Sequence, residues 1–595
     1  RHRDWDRHRN RDRHRDWDRH GNRDRHRDWD RHGNRDRHRD LSQRRPNSGD
    51  EALNRTRNNT GPPGEACLDV APASCPPRGL NPWAFLPFPF LFYLATCSRT
   101  IGLGDSAMLM EAIHNFNLST HVNNHNLAVV LGRLVALLPL GNPSFEANLA
   151  SALAGAFTIA LLYGILYRMT SSADVAAVTA SVTMVSHSMW WHSTIAESYA
   201  LNGLFTVLFL GVLAGLRKRY TEPKLMTLFF VSGLALFNHV QMGILVSGAL
   251  TYFIAQGARR KGLRSRWVSR AGFRCLVAFG LGALPFLALM VRDILRGGLG
   301  HTLWQASGGP FHGIMLQGDL LPSLLDTAYL TALQFPSVYL VAVAFGIIGL
   351  ARSWRASPSL FALLVVFGLN TWFFMTYNTW DKFAFLLPSF VILGFVGVFA
   401  VQRVFRWASG RSVRITVLIT LFAVSVTTPI YLYAQLSKWG EKPGFWYARY
   451  NNNYTFNTYN GAEFIANPNK STYEDIATLA ARIFEVLPQN AILIDSDSRT
   501  FYPLRHFQLY EGERPDLRLR LVNSWGFDDW GLTRQDFMQL IERAYVNGED
   551  LFIVSLGHPF AELLAQESQQ GRHEFEPFAL DSERWIYRLS LTTTP

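Results

Sequence analysis

The sequence predicts a polytopic α-helical membrane protein, with about eleven transmembrane helices and a C-terminal soluble α/β domain. Three observations carry this. Residues 80–434 form an apolar block whose charges are confined to short gaps between runs of near-membrane length. Basic clusters recur at every second gap. Residues 435–595 return to the mixed composition of a folded soluble domain. The whole-chain averages conceal this division: 17% of residues are charged and the mean hydropathy is close to zero.

The first segment, 1–79, is polar and basic. Arg1–Asp12, Arg13–Asp24 and Arg25–Asp36 repeat one unit, RHRDWDRH(R/G)NRD, with a partial fourth copy at 37–40. Interleaved Arg and Asp with so few apolar residues cannot bury a core, so a disordered, solvated tail is expected. No leader with a cleavage-site pattern is expected ahead of the first apolar run. The net charge of +12 arises largely from this tail and from the gaps between spans. Membrane topology accounts for it without nucleic acid. The four cysteines, Cys67, Cys75, Cys97 and Cys275, show no zinc-site spacing.

The expected spans cover about 80–97, 145–168, 173–190, 199–216, 225–239, 240–257, 272–291, 327–350, 358–376, 383–402 and 414–434. Basic clusters at Arg217–Arg219, Arg259–Lys261 with Arg264–Arg270, Arg352–Arg355, and Arg403–Arg414 belong in the cytoplasm. Both flanks of 225–257 are then cytoplasmic, so this segment must cross twice and turn near Asn238-His239. The N-terminus falls inside and the C-terminal domain outside. In the first outer loop, 107–116 and 127–140 are amphipathic and suit helices lying in the interface.

This orientation gathers acids and histidines at the outer face: Asp105, His121 and His125, then Glu197, then Asn238 and His239, then Asp293, and finally Asp381 and Lys382. For each alone, loop solvation is an ordinary role. Their shared face suggests a site. The C-terminal domain reads as strands at Ala491–Asp495, Leu517–Val522, Leu551–Ser555 and Arg584–Leu591, with helices at Glu474–Val486 and Arg534–Val546. It holds no phosphate loop, nucleophile elbow or zinc pattern. The aromatic, Asn-rich stretch Phe445–Asn460 suits either stacking on sugar rings or a surface linker.

Several motifs occur in a telling order. Gly104-Asp105-Ser106 follows the first span, then LGRLVALLPLGNPSFEANLASALAGA (131–156) and IAESYALN (195–202). FNHVQ (237–241), YNTWDKFAFLLPS (377–389) and LPQNAILIDSDSRTFYPLRHFQLYEGERPDLRL (487–519) come after them. Together they resemble the DUF2723 family, relatives of the transmembrane protein 260 type protein O-mannosyltransferases, within the GT-C glycosyltransferases. The resemblance implies a GT-C-like bundle that takes a polyprenyl-phosphate-linked sugar and transfers it to a protein or glycan acceptor on the non-cytoplasmic face. It implies that Asp105 acts as catalytic base.

The chemistry asks for the same parts. Inverting transfer needs a base for the acceptor hydroxyl, and stabilisation of the departing phosphate by cations or hydrogen bonds. Lys382 and Arg292 are the lipid-phosphate candidates, with interfacial snorkelling as their ordinary role. Glu197, His121, His125, Asn238, His239 and Asp381 are candidates for substrate binding. Asp105 has a rival role as a helix cap, Glu197 as a helix-dipole acid, and His239 as a satisfied buried histidine. Nothing in the sequence specifies a metal site. The family's His-Pro-Pro-Gly-Tyr-Pro-Leu-like stretch is replaced here by HVNNHNL (121–127), which points to a loop held otherwise or to a different acceptor. Two other functions compete. A transporter or flippase would show inverted repeats and mid-span acids, and a lapsed enzyme would keep the fold as a binding protein.

Overall fold

The computed structural model describes residues 81–260, 266–377, 379, 381–408, 410–439, 461–495, 497–522, 532–554, 573–580 and 585–591. The 12-residue repeats, Cys67, Cys75 and all of Phe445–Asn460 lie outside the described residues.

Eight described helices are long and apolar enough to cross a membrane: Pro143–Thr170, Tyr199–Lys218, Val240–Arg260, Val268–Gly297, Tyr339–Ala356, Pro358–Met375, Leu387–Trp407 and Arg411–Leu436. The remaining expected spans correspond to shorter apolar helices, at Trp83–Thr96 and Ala173–Met184, and to Glu222–Ala235. The protein is an integral membrane protein. Local chemistry fixes several helix starts. Asn142, Thr221 and Ser357 each accept a backbone N–H from the first turn, and a proline stands at the first or second helical position after each. Such caps satisfy donors that would otherwise be orphaned, and proline has no N–H to lose there.

The doubtful segment at 225–257 is a helical hairpin, Glu222–Ala235 and Gly243–Arg260, with a single 3-10 turn at Val240–Met242 between them. The expected span at 327–350 is different. A helix ends at Gln334 and a new one starts at Tyr339. Pro336 falls in the break, where it supplies no N–H for a continuous ladder. Helix Leu320–Gln334 is thus a separate element before the span. Helices Glu222–Ala235 and Arg266–Gly297 approach so closely that a Cβ on Gly233 would strike the Phe279 carbonyl, and one on Gly282 the Phe230 carbonyl. Small residues permit this contact in lipid, where hydrophobic association between helices is weak.

The C-terminal domain has a five-stranded sheet: β1 Ile492–Asp495, β2 Arg518–Leu521, β3 Leu551–Ile553, β4 His573–Ala579 and β5 Trp585–Leu591. The order is β2-β1-β3-β5-β4. The first three strands are parallel, while β5 runs antiparallel to β3 and β4. Helix Asp475–Val486 precedes β1, and helix Ser498–Tyr510 follows it. That second helix packs on helix Asp105–Asn115 of the first outer loop.

Candidate functional site

Helix Pro143–Thr170 holds the site's frame with a polar stripe at helical spacing. Ser144, Asn148 and Ser151 lie one above another along one face. Asn148, fully buried, donates to the carbonyls of Ser98 (3.1 Å) and Thr100 (3.0 Å) and accepts from the Ala196 amide (2.6 Å). One side chain therefore ties the loop after the first helix to the loop carrying Glu197. Ser151 binds the Glu197 backbone twice, accepting from its N–H and donating to its carbonyl, both at 3.0 Å. Ser144 pairs with His506 of the C-terminal domain at 3.0 Å. The sequence signal was present, as three polar residues on one face of an apolar run, but nothing in the run says what they would hold.

Asp105 begins its helix, preceded by Gly104 with φ of 67°, a conformation that favours glycine. Gly104, not Asp105, is the cap residue. The Asp105 carboxylate makes no hydrogen bond to another described residue. It is open to water, yet enough protein surrounds it for desolvation to raise its pKa above the usual carboxylate range. Glu197 is buried, and its pKa is pushed well up by desolvation and by the nearby charges of Asp105 and Asp381. Asp381, half-buried and accepting from the Thr379 hydroxyl, is raised to about 7, mainly by burial, with Asp105 adding to the rise. Three carboxyl groups from three separate loops therefore share one electrostatic neighbourhood. Tyr199 and Tyr377 lie within reach of the same field. Among the described residues no three acids, histidines or cysteines converge as a metal site.

The other predicted residues fall nearby or in supporting positions. His125 and His239 stack with ring centroids 4.9 Å apart, next to Tyr199. The His239 ring also accepts the Gln241 amide at 3.0 Å. Asn238 donates to the Ser198 carbonyl (3.1 Å) and to Asn202 (2.8 Å). Gln241 continues this polar ladder to Asn370 at 3.2 Å. His121 accepts the Asn123 amide at 3.1 Å, shaping its own loop. Arg292 pairs with Asp293 (2.7 Å) and donates to the Leu118 carbonyl (2.5 Å), while Asp293 accepts both the amide and the hydroxyl of Thr120 at 2.8 Å. That pair pins the first outer loop to helix Arg266–Gly297. Lys382 is buried directly after Asp381. It reaches Asp326 at 3.7 Å and donates to the Met375 carbonyl at 3.1 Å, so its ion-pair partner is Asp326 rather than its sequence neighbour.

The C-terminal domain contributes more than its composition suggested. The Gly104 amide donates to the Arg499 carbonyl at 3.4 Å, Arg505 pairs with Glu111 at 3.1 Å, and Tyr510 donates to Asn115 at 3.3 Å. Tyr502 feels the charges of Glu111 and Asp105. Helix Ser498–Tyr510 thus grips the helix that Asp105 starts. It belongs to the segment at 487–519 already singled out by resemblance, but it was not read as a helix.

A family model described as the protein O-mannosyl-transferase TMEM260 N-terminal domain matches residues 105–262, which hold Asp105, Glu197 and His239. Over this stretch the chain is similar to that family. It is 27% identical over 239 residues to the protein O-mannosyl-transferase TMEM260 of Mus musculus. That match covers 37% of this chain and 33% of the mouse protein, so the chain spans about a third of the length of the curated relative it matches. The fold has solved neighbours. ArnT from Cupriavidus metallidurans bound to undecaprenyl phosphate aligns with a TM-score of 0.50 at 11% identity, over 86% of this chain and 98% of that one. Its apo form aligns with a TM-score of 0.51 at 13% identity, over 86% and 97%. The chain therefore shares the membrane fold of these neighbours and carries a C-terminal sheet domain.

Proposed function

We propose that this chain is a membrane glycosyltransferase that moves a sugar from a polyprenyl-phosphate donor to a protein hydroxyl on the non-cytoplasmic face. The observation that carries the reading is Asp105: a water-accessible carboxylate without a hydrogen-bond partner among the described residues, in a protein-lined space with two further acids. The TMEM260 relative's name adds mannose and a protein acceptor as the substrate classes to try first. The ArnT neighbour, bound to undecaprenyl phosphate, supports a polyprenyl carrier.

In this reading Asp105 accepts the proton of the acceptor hydroxyl as its oxygen attacks the anomeric carbon. The bond from that carbon to the phosphate oxygen breaks, and the lipid phosphate leaves with the electron pair. A base with a raised pKa holds that proton better than an ordinary carboxylate. Lys382 meets the phosphate charge, since it lies beside Asp381 and its only acidic partner among the described residues is a loose one at 3.7 Å. Glu197 orients the acceptor from its fixed backbone. Arg292, already committed to Asp293 and the Leu118 carbonyl, acts on the loop instead. The test is reconstitution of the full chain in vesicles with undecaprenyl-phosphate mannose and a Ser/Thr-rich peptide. Mannosylated peptide is expected; no transfer to any hydroxyl acceptor, with the protein correctly inserted, overturns the reading.

A further inference from the structure

At the end of the bundle away from the acids, five spans do not close on one another. Helices Pro143–Thr170, Tyr199–Lys218, Tyr339–Ala356, Pro358–Met375 and Leu387–Trp407 leave a cleft there with about 460 Å³ of unfilled space. Its inner wall includes Leu213, Leu360 and Phe395, all buried, and its mouth Ala214, Arg217 and Phe399, all half-buried. Tyr199, beside the acids, and Arg217, at the cleft, stand near opposite ends of one helix, roughly 27 Å apart along its axis. The cleft is therefore separate from the site around Asp105, and it opens on the side that carries the basic clusters.

The lining decides what fits. Among the described residues that line the cleft, Arg217 is the one charged side chain, and the Ser359 hydroxyl already donates to the Leu213 carbonyl at 3.0 Å. The walls thus offer apolar surface along their length and a guanidinium at the mouth. A water-soluble ligand would leave its polar groups unpaired against such walls, whereas a hydrocarbon chain would not. The space is of the size that takes one small ligand or alkyl chain, and is too small to enclose a whole polyprenyl carrier. Charge around the mouth points the same way. Lys218 and Arg219 follow Arg217 and are exposed, and Arg403 lies one turn beyond Phe399 on the same helix face. Among the described residues the acids at this end are Asp174 and Glu222, and each is paired, with Arg414 at 2.9 Å and with Arg274. Basic pockets between spans attract anionic lipid headgroups, and the guanidinium fork matches a phosphate.

We propose that this cleft binds an anionic glycerophospholipid from the leaflet on the basic side of the bundle, one acyl chain lying between the spans and the phosphate meeting Arg217. The site is independent of the glycosyltransferase reading and stands or falls without it. Its test is native mass spectrometry of the full chain in detergent, titrated with phosphatidylglycerol or with phosphatidylcholine of the same acyl chains. Wild type is expected to retain phosphatidylglycerol about fivefold better, the scale of one basic side chain at a lipid surface. Arg217→Gln, which keeps a polar side chain at the mouth, should bring phosphatidylglycerol down to the level of phosphatidylcholine with melting unchanged. Ala214→Trp, which fills the mouth from a half-buried position, should lose the retained lipid of either kind. Equal retention of the two lipids by wild type, or full retention of phosphatidylglycerol by Arg217→Gln, overturns the proposal. Displacement of phosphatidylglycerol by undecaprenyl phosphate also overturns it, and would assign the cleft to the carrier instead.

Discussion

Helices Pro143–Thr170 and Val268–Gly297 are equally apolar, yet 72% of the first is buried inside the protein and only 28% of the second. The second presents Phe273, Leu276, Leu281 and Leu295, each at least 60% exposed, to the surrounding lipid. The first is buried over most of its surface, and its polar residues hold neighbouring segments in place. Hydropathy identifies both as membrane helices but does not distinguish their jobs. What distinguishes them is the polar stripe. In lipid an unpaired amide or hydroxyl is costly; Asn148 and Ser151 are paired to the backbone of loops at the site, and Ser144 to His506 of helix Ser498–Tyr510.

Substitutions on the two helices break this comparison most directly. The largest effect is expected at Asn148. Asn148→Leu removes three hydrogen bonds and leaves the Ser98 carbonyl and the Ala196 amide unpaired, at roughly 1–3 kcal/mol each, while the Thr100 carbonyl keeps the Ser98 hydroxyl at 2.9 Å. Thermal unfolding in detergent should show a loss of several kcal/mol, and transfer should disappear with it. A smaller loss of about 1–3 kcal/mol is expected for Gly282→Val, whose side chain meets the Phe230 carbonyl on the inward face of the lipid-facing helix. Leu284→Ala, almost at the same level but 58% exposed, should stay within about 0.5 kcal/mol, as surface changes do. Equal losses at 282 and 284 would show that the helix does not pack as described.

The grip of the C-terminal domain gives a milder test. Arg505 and Glu111 are partly exposed, so the pair is worth less than about 1 kcal/mol to stability. Its role is to position the Asp105 helix. Arg505→Glu and Glu111→Arg should each lower kcat several-fold with little change in melting, and the double swap should restore it. Failure of the swap to rescue would remove the positioning role. The pH profile sharpens the electrostatic side. A base works deprotonated, and burial raises Asp105 above the ordinary value of about 3.9. Asp381, at about 7, still takes up a proton near neutrality. Transfer should therefore still be climbing above the ordinary carboxylate range and on toward about pH 7, where Asp381 titrates; a plateau reached at the ordinary carboxylate value would contradict the raised carboxyl groups.

Much of the architecture was legible because it follows from length, charge and period. Alternating basic gaps forced the 225–257 hairpin, strands β1 and β3 announced themselves as short apolar runs, and β2 and β5 as alternating ones. Strand β4 was not foreseen, since HEFEPFA carries Pro577 and charged residues; at the sheet edge both are tolerated. The break at Pro336 was absorbed into a long apolar run, because hydropathy does not register a missing N–H. The acids were placed together on one outer face by the alternation of charge, and Asp105 was marked further by the family resemblance. Their shared neighbourhood depends on loops far apart in sequence. The link through Asn148 gave no signal of its own.

The account turns on Asp105, and one substitution addresses it. Asp105→Asn keeps the size and polarity of the side chain but cannot accept the acceptor's proton. With undecaprenyl-phosphate mannose as donor and a hydroxyl peptide as acceptor, kcat should fall by about 100-fold or more, the scale of a lost general base, with insertion, melting and lipid binding unchanged. Transfer within about twofold of wild type would contradict the assignment and move the search for the base to Glu197 or Asp381.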